Sequence, residues 1–203
     1  MSRYGDRDGV FHAKKLAVDD KIAVSYTIPY LIAVSTTALL NGSDFSTATV
    51  KLARLFTVQP PYPMRISINA VSAGTTGSTP DKLTFTGFDA KGNFIVEDVN
   101  VSSTAGTAAA ARTYTTRAFA RLTQVESQSD ITSTDVNIGI ASGVGLPYPI
   151  ASSADVLTIR HGLNYGTSER TAHDYNFTHD VVSLPTMTAG STFHIVYSSK
   201  LQR

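Results

Sequence analysis

The chain has no cysteine, so neither a disulfide framework nor a thiolate zinc site can hold it together, and a reducing site of synthesis is the natural expectation. Tryptophan is absent too, which leaves nine Tyr and nine Phe to supply large buried or contact surfaces. Charge is scarce, at 16% of residues, and 17 Lys and Arg against 16 Asp and Glu leave no net field to draw the chain onto nucleic acid or an anionic membrane. Behind the mixed charges of Met1 to Gly9 there is no apolar stretch of the kind an export signal needs. Ile22 to Leu40 runs nineteen residues without a charge, near the length of a membrane span. Its order argues for strands instead: Ile22, Val24, Tyr26 and Ile28 alternate with Ala23, Ser25 and Thr27, and Pro29 interrupts.

Ser and Thr are abundant, making up roughly a quarter of the 203 residues. Threonine suits pleated strands and serine suits turns, so the excess favours a β protein with much loop. Residues 1–21 mix Lys and Arg with Asp and read as a solvated arm that orders on a neighbour. Strands are expected within 22–35, a turn at Asn41-Gly42-Ser43-Asp44, and a further strand at Thr49–Val58 that Pro60, Pro61 and Pro63 close. Arg65–Val71 sets Ile66, Ile68 and Ala70 on one face, with a loop over 73–79 after it. Leu83–Phe88 and Phe94–Val99 flank Asp89-Ala90-Lys91-Gly92-Asn93, a hairpin in which Gly92 can take the positive φ that closes the turn. Residues 102–111, with four consecutive alanines, are too short for an unaided helix and read as a long loop or a single turn. One or two strands are expected over Thr113–Val125, and short ones at Val136–Ile140, Val156–Arg160, Val181–Leu184 and Phe193–Ser199, with a stiffened loop from Gly143 to Pro149. The expectation is an all-β protein, a β-sandwich or jelly-roll-like domain over 22–203 with an extended N-terminal arm over 1–21.

No pattern of catalytic chemistry emerges. The histidines are His12, His161, His173, His179 and His194. His173 and His179, each followed by an Asp (Asp174, Asp180), would lie on one side of an extended strand but far apart, and match no metal-ligand spacing. No G-x-S-x-G elbow presents a serine nucleophile, and a triad assembled only by the fold leaves no trace in sequence. Glu97 and Asp98 point to opposite faces of one strand, which separates them for paired-carboxylate work. Gly139, Gly143 and Gly145 lead into no helix and read as turn residues instead of a phosphate cradle. Arg112, Arg117 and Arg121 form the one local arginine cluster, suited to an acidic neighbour or to solvating an edge strand. Asn41, Asn100 and Asn176 stand in glycosylation-type triplets, read as chance without an export signal. No catalytic, cofactor or metal residue is therefore expected. Tyr26, Tyr30, Tyr62, Tyr148 and Tyr165 fit extended protein contacts, or else finish the chain's own core.

The succession Pro63–Ile68, Leu83–Val99, Arg117–Val125, Asp135–Ile140 and Gly145-Leu146-Pro147 resembles a β-rich module of tailed-phage virion proteins over about 63–150. The resemblance implies a capsid-associated structural part with no catalytic residues to carry over: a head decoration or cement protein on the outer capsid surface, bridging capsomers, with neck and tail components as near relatives. Its partners would be the major capsid protein and further copies of itself, as trimers or dimers, with neither nucleic acid nor membrane. The arm of 1–21 and the apolar strands after it would be the inter-subunit element. Two other classes stand beside this one. A tail or fibre module binding host glycan would use Tyr165 with Asn164, or Tyr175 with Asp174 and Asn176; an enzyme acting on the host envelope is the third.

Overall fold

A computed structural model describes residues 15–16, 21–43, 53–71, 81–101, 112–127, 135–162, 174–184, 187 and 189–200. The expected arm, apart from residues 15, 16 and 21, lies outside them, as do the loops expected at 73–79 and 102–111. Fourteen strands are described: β1 (Lys15–Leu16), β2 (Lys21–Ile28), β3 (Ser35–Ser43), β4 (Ala53–Leu55), β5 (Met64–Val71), β6 (Asp81–Phe88), β7 (Phe94–Val101), β8 (Arg112–Phe119), β9 (Arg121–Ser127), β10 (Asp135–Gly145), β11 (Val156–Gly162), β12 (Asp174–Asn176), β13 (Val181–Ser183) and β14 (Thr192–Lys200). One 3-10 turn, Ser153–Asp155, precedes β11. The all-β expectation holds, and every pairing is antiparallel.

The strands form three sheets. Sheet I has the order β1-β2-β14-β11, sheet II β12-β13-β10-β5-β8 with β3 also on β10, and sheet III β4-β9-β6-β7. Strand β10 is the spine: one edge pairs with β5, the other with β3 along its first half and β13 along its second. Two apolar clusters follow. Sheet I covers the Met64, Ile140 and Val144 half of sheet II, with Val24, Ile28, Phe193, Ile195 and Tyr197 buried between. Sheet III covers the Ile66, Ile68, Val136 and Ile138 half, with Leu83, Phe85, Ile95, Leu122 and Val125. Met64, Ile66 and Ile68 alternate along one face of β5, so a single strand feeds both cores.

Where the strands depart from expectation, tertiary contact explains it. The turn expected at Asn41-Gly42-Ser43-Asp44 is strand as far as Ser43, because Leu40 and Ser43 pair with Ile138 and Val136 of β10. After β2 the chain does not make a second strand before Ser35; Leu31 is instead tied by backbone hydrogen bonds to Ser191 and Gly190. Of Thr49–Val58, only Ala53–Leu55 is described as strand, held by β9. The span 113–125 divides at Ala120 into two strands on different sheets, and Ala120 donates its N–H to Phe88 at the corner.

Gly139, Gly143 and Gly145 are not turn residues: all three lie within β10, which runs eleven residues where a short strand and a loop are expected. At Gly139 the reason is close approach, since a Cβ there would land on the Ser35 carbonyl as β3 crosses. Arg65 lies over Gly143, and Ala118 and Pro63 lie over Gly145.

Two polar devices close the edges. A register irregularity between β5 and β8 takes Thr115 to Arg117 out of the ladder. Thr115, fully buried, accepts the Ile66 N–H at 2.9 Å and donates to the Arg117 carbonyl at 2.8 Å, while the Glu97 carboxylate on β7 accepts the N–H groups of Thr116 and Arg117 and the Thr116 hydroxyl. Glu97 thus joins sheet III to the edge of sheet II. At the other end, buried Asp155 accepts from Lys21 Nζ at 2.7 Å, Ser198 Oγ at 2.9 Å and the Ser152 N–H and hydroxyl at 3.1 Å. Burial pushes the Asp155 carboxyl up, but the hydrogen bonds from Lys21, Ser198 and Ser152 outweigh it and hold the group below the usual carboxylate range.

Candidate functional surface

The hairpin of β6 and β7 shows how short-range sequence builds an exposed surface. Asp89 opens its turn: one carboxylate oxygen accepts the N–H groups of Lys91 and Asn93, both at 2.8 Å, and Gly92 takes φ 80°. Phe88 then pairs directly with Phe94. The turn is also docked on the body of the molecule. Lys91 Nζ reaches Asp180 at 2.5 Å, and Asp180, itself at φ 54°, accepts the Ile150 N–H on its side chain and the Leu146 N–H on its carbonyl. A non-glycine residue in the left-handed region is retained here because three segments converge on it.

Alternation along this fixed hairpin sends Leu83, Phe85, Ile95 and Val99 into the core and leaves Phe94 and Val96 outside, 61% and 48% exposed. Phe88 meets Phe94 edge to face, with ring centroids 5.7 Å apart. The apolar row Phe88, Phe94, Val96 therefore lies on the outward face of sheet III, beside the Lys82–Asp98 ion pair at 2.7 Å. Together these side chains can exclude water against a matching surface.

A second aromatic surface lies at the edge of sheet II. Tyr175 on β12 and Phe177 in the following turn stack with planes 8° apart and centroids 5.8 Å apart, with Asp174 exposed beside them. Asn176 turns its side-chain oxygen to the His179 N–H, so it is committed to the turn. Sequence reading picked out Tyr175, Asp174 and Asn176 but passed over Phe177, whose place in the stack depends on the turn. Tyr165 and Asn164 lie outside the described residues.

The remaining tyrosines divide. Tyr26, Tyr62 and Tyr148 pack against the first core, as the core-finishing alternative expects. Burial, with Tyr62 nearby, pushes the Tyr26 phenol up to about 12, and Tyr62 accepts the Ile32 N–H at 2.9 Å. Tyr30, 74% exposed, is left to solvent.

The groups singled out for chemistry are not gathered. His179 lies in a turn and not on an extended strand, because Asn176 closes that turn; His12 and His173 lie outside the described residues. His161 and His194 sit on opposite faces of sheet I, His194 sharing a 3.1 Å hydrogen bond with Ser25. Glu97 and Asp98 do face opposite ways, Asp98 bonding Thr84 and Lys82. Arg112 and Arg117 belong to β8 and Arg121 to β9, so the arginine cluster is divided between two sheets. Among the described residues no group of three or more His, Asp or Glu could hold a metal ion, and no helix is long and apolar enough to cross a membrane. No family model, no curated protein and no solved structure matches the chain.

Proposed function

We propose that this chain is a structural protein of a tailed-phage particle, a decoration or cement protein that covers and pairs surfaces on the capsid and catalyses no reaction. The observation that carries the reading is the outward apolar row Phe88, Phe94 and Val96, held on a hairpin that Asp89, Gly92 and Asp180 fix in place. It lies inside the segment that resembles the phage module, and every buried residue of the second core, from Ile66 to Ile138, lies within that 63–150 segment as well. One apolar outer row on a packed sheet suits docking to a lattice, where a weak contact gains force by repetition. Particles lacking the protein, incubated with purified chain and imaged by electron microscopy, should show added density on the head. Density on the neck or tail would move the assignment, and no binding would end it. Phe94→Ser with Val96→Ser should weaken particle binding at least tenfold while leaving thermal stability near that of the parent, since both side chains are exposed.

The stacked Tyr175 and Phe177 favour a second reading, a tail or fibre module that holds a sugar against an aromatic face. Binding on a glycan array that Tyr175→Ala and Phe177→Ala both abolish would support it over capsid docking.

A further inference from the structure

Sheet I differs from the rest of the molecule in charge. Its strands carry Lys15, Lys21, Arg160 and Lys200 together with His161 and His194, and no aspartate or glutamate, in a chain whose totals are 17 basic and 16 acidic residues. One carboxylate, Asp155 from the turn before β11, reaches onto the outward face at Ser198, where Lys21, Ser198 and Ser152 all bond it. Alternation turns Val24, Ile28, Phe193, Ile195 and Tyr197 inward and leaves Ser25, Thr27, His194 and Lys200 on the opposite face. Register then sets Arg160, His194 and Thr27 directly opposite one another across three strands. Ser25, Thr27, Arg160 and Lys200 are exposed. Burial, and after it the neighbouring Arg160, pushes the His194 imidazole down.

We propose that this outward face of sheet I is a contact surface for a carboxylate-rich protein surface, and the inference rests on the capsid-docking reading because it names the chemistry of the docked partner. The pairing of β2 with β14 runs through eight residue pairs without a register shift, and that of β11 with β14 is regular from Thr158 to Gly162, the stretch that holds Arg160. Asp155 covers Ser198 near one end, so three strands at about 4.8 Å spacing by eight residues at about 3.4 Å, about 400 Å², is the most the face can offer. That is half the ~800 Å² per partner of a standard interface, so each contact is weak alone and accumulates over a lattice. Among the residues whose side chains are described, Arg160 and Lys200 are its exposed full cations, and Lys200 stands six residues along β14 from His194, about 20 Å away. So sparse a pair does not follow the closely spaced phosphates of a duplex, whereas the Thr27 hydroxyl, in register with Arg160, adds a donor for a carboxylate beside that cation.

The test is NMR titration of the full chain with poly-L-glutamate and with duplex DNA, at 25 and 300 mM salt. Poly-L-glutamate should shift the amides of Ser25, Thr27, Arg160, His194 and Lys200, at least tenfold more weakly at the higher salt. The shifts should vanish in Arg160→Glu with Lys200→Glu. An absence of shifts, shifts elsewhere, salt-independent binding, or tighter binding of DNA at equal salt would each overturn the inference. Particle binding separates the two readings. If the parent chain binds particles and the double variant binds them equally, this face is not the docking face and the capsid reading stands. If neither binds particles but the glutamate shifts persist, the capsid reading fails and the acidic-surface preference remains.

Discussion

Glu97 shows how much can hang on one side chain. It stands on the core-facing side of β7, opposite Phe85, yet its carboxylate reaches across to donors that the β5–β8 irregularity left outside the ladder. Replacing it by Ala should destabilise the fold by about 2 kcal/mol, because backbone N–H groups lose a charged acceptor, and Glu97→Gln should cost less. Urea unfolding at unchanged m would read both. Asp155 is the second such residue, and its carboxyl is held below the usual range. A depressed carboxyl contributes stability that is present above its unfolded value, near 3.9, and is lost as pH falls through the folded one. Between pH 6 and pH 3 the parent should therefore lose more stability than Asp155→Asn. At pH 7 the variant should be the weaker of the two, by about 2 kcal/mol, since Lys21 loses its partner.

The elements of this fold were legible in sequence to the degree that their causes are local. The β6–β7 hairpin was readable because alternation and turn chemistry both lie within twenty residues, and Gly92 has the expected positive φ. Gly92→Ala should cost about 1 kcal/mol in thermal unfolding, the ordinary penalty for a side chain in the left-handed region. The glycines of β10 look the same in sequence, yet Gly139 is there to admit the backbone of β3, which arrives from a hundred residues away. Gly139→Ala should thus cost more than Gly92→Ala, about 2–3 kcal/mol, as the strand is pushed off its partner. The candidate surfaces follow the same division. The alternation that exposes Phe94 and Val96 could be read from the sequence, but the contacts that aim the hairpin, Lys91 to Asp180 and Glu97 to β8, join segments that nothing in the local pattern connects.

At the scale of the whole molecule, the two apolar clusters are not independent, because β5 and β10 each contribute to both. Phe85→Ala in one and Phe193→Ala in the other should each cost about 3–5 kcal/mol and shift one shared transition. Fluorescence and circular dichroism melting curves that separate in either variant would show two folding units instead. The pairing of β2 with β14 has a mechanical side as well. Lys21 lies opposite Lys200, so a tether fastened near residue 21 and another near residue 200 leave the body at the same corner. Traction between those two tethers opens the ladder one rung at a time. Traction between residue 21 and the β6–β7 hairpin does not pull β2 and β14 apart in that way and must be borne by the sheets and both cores. A chain anchored near residue 21 and gripped at its hairpin would be loaded along its stronger direction.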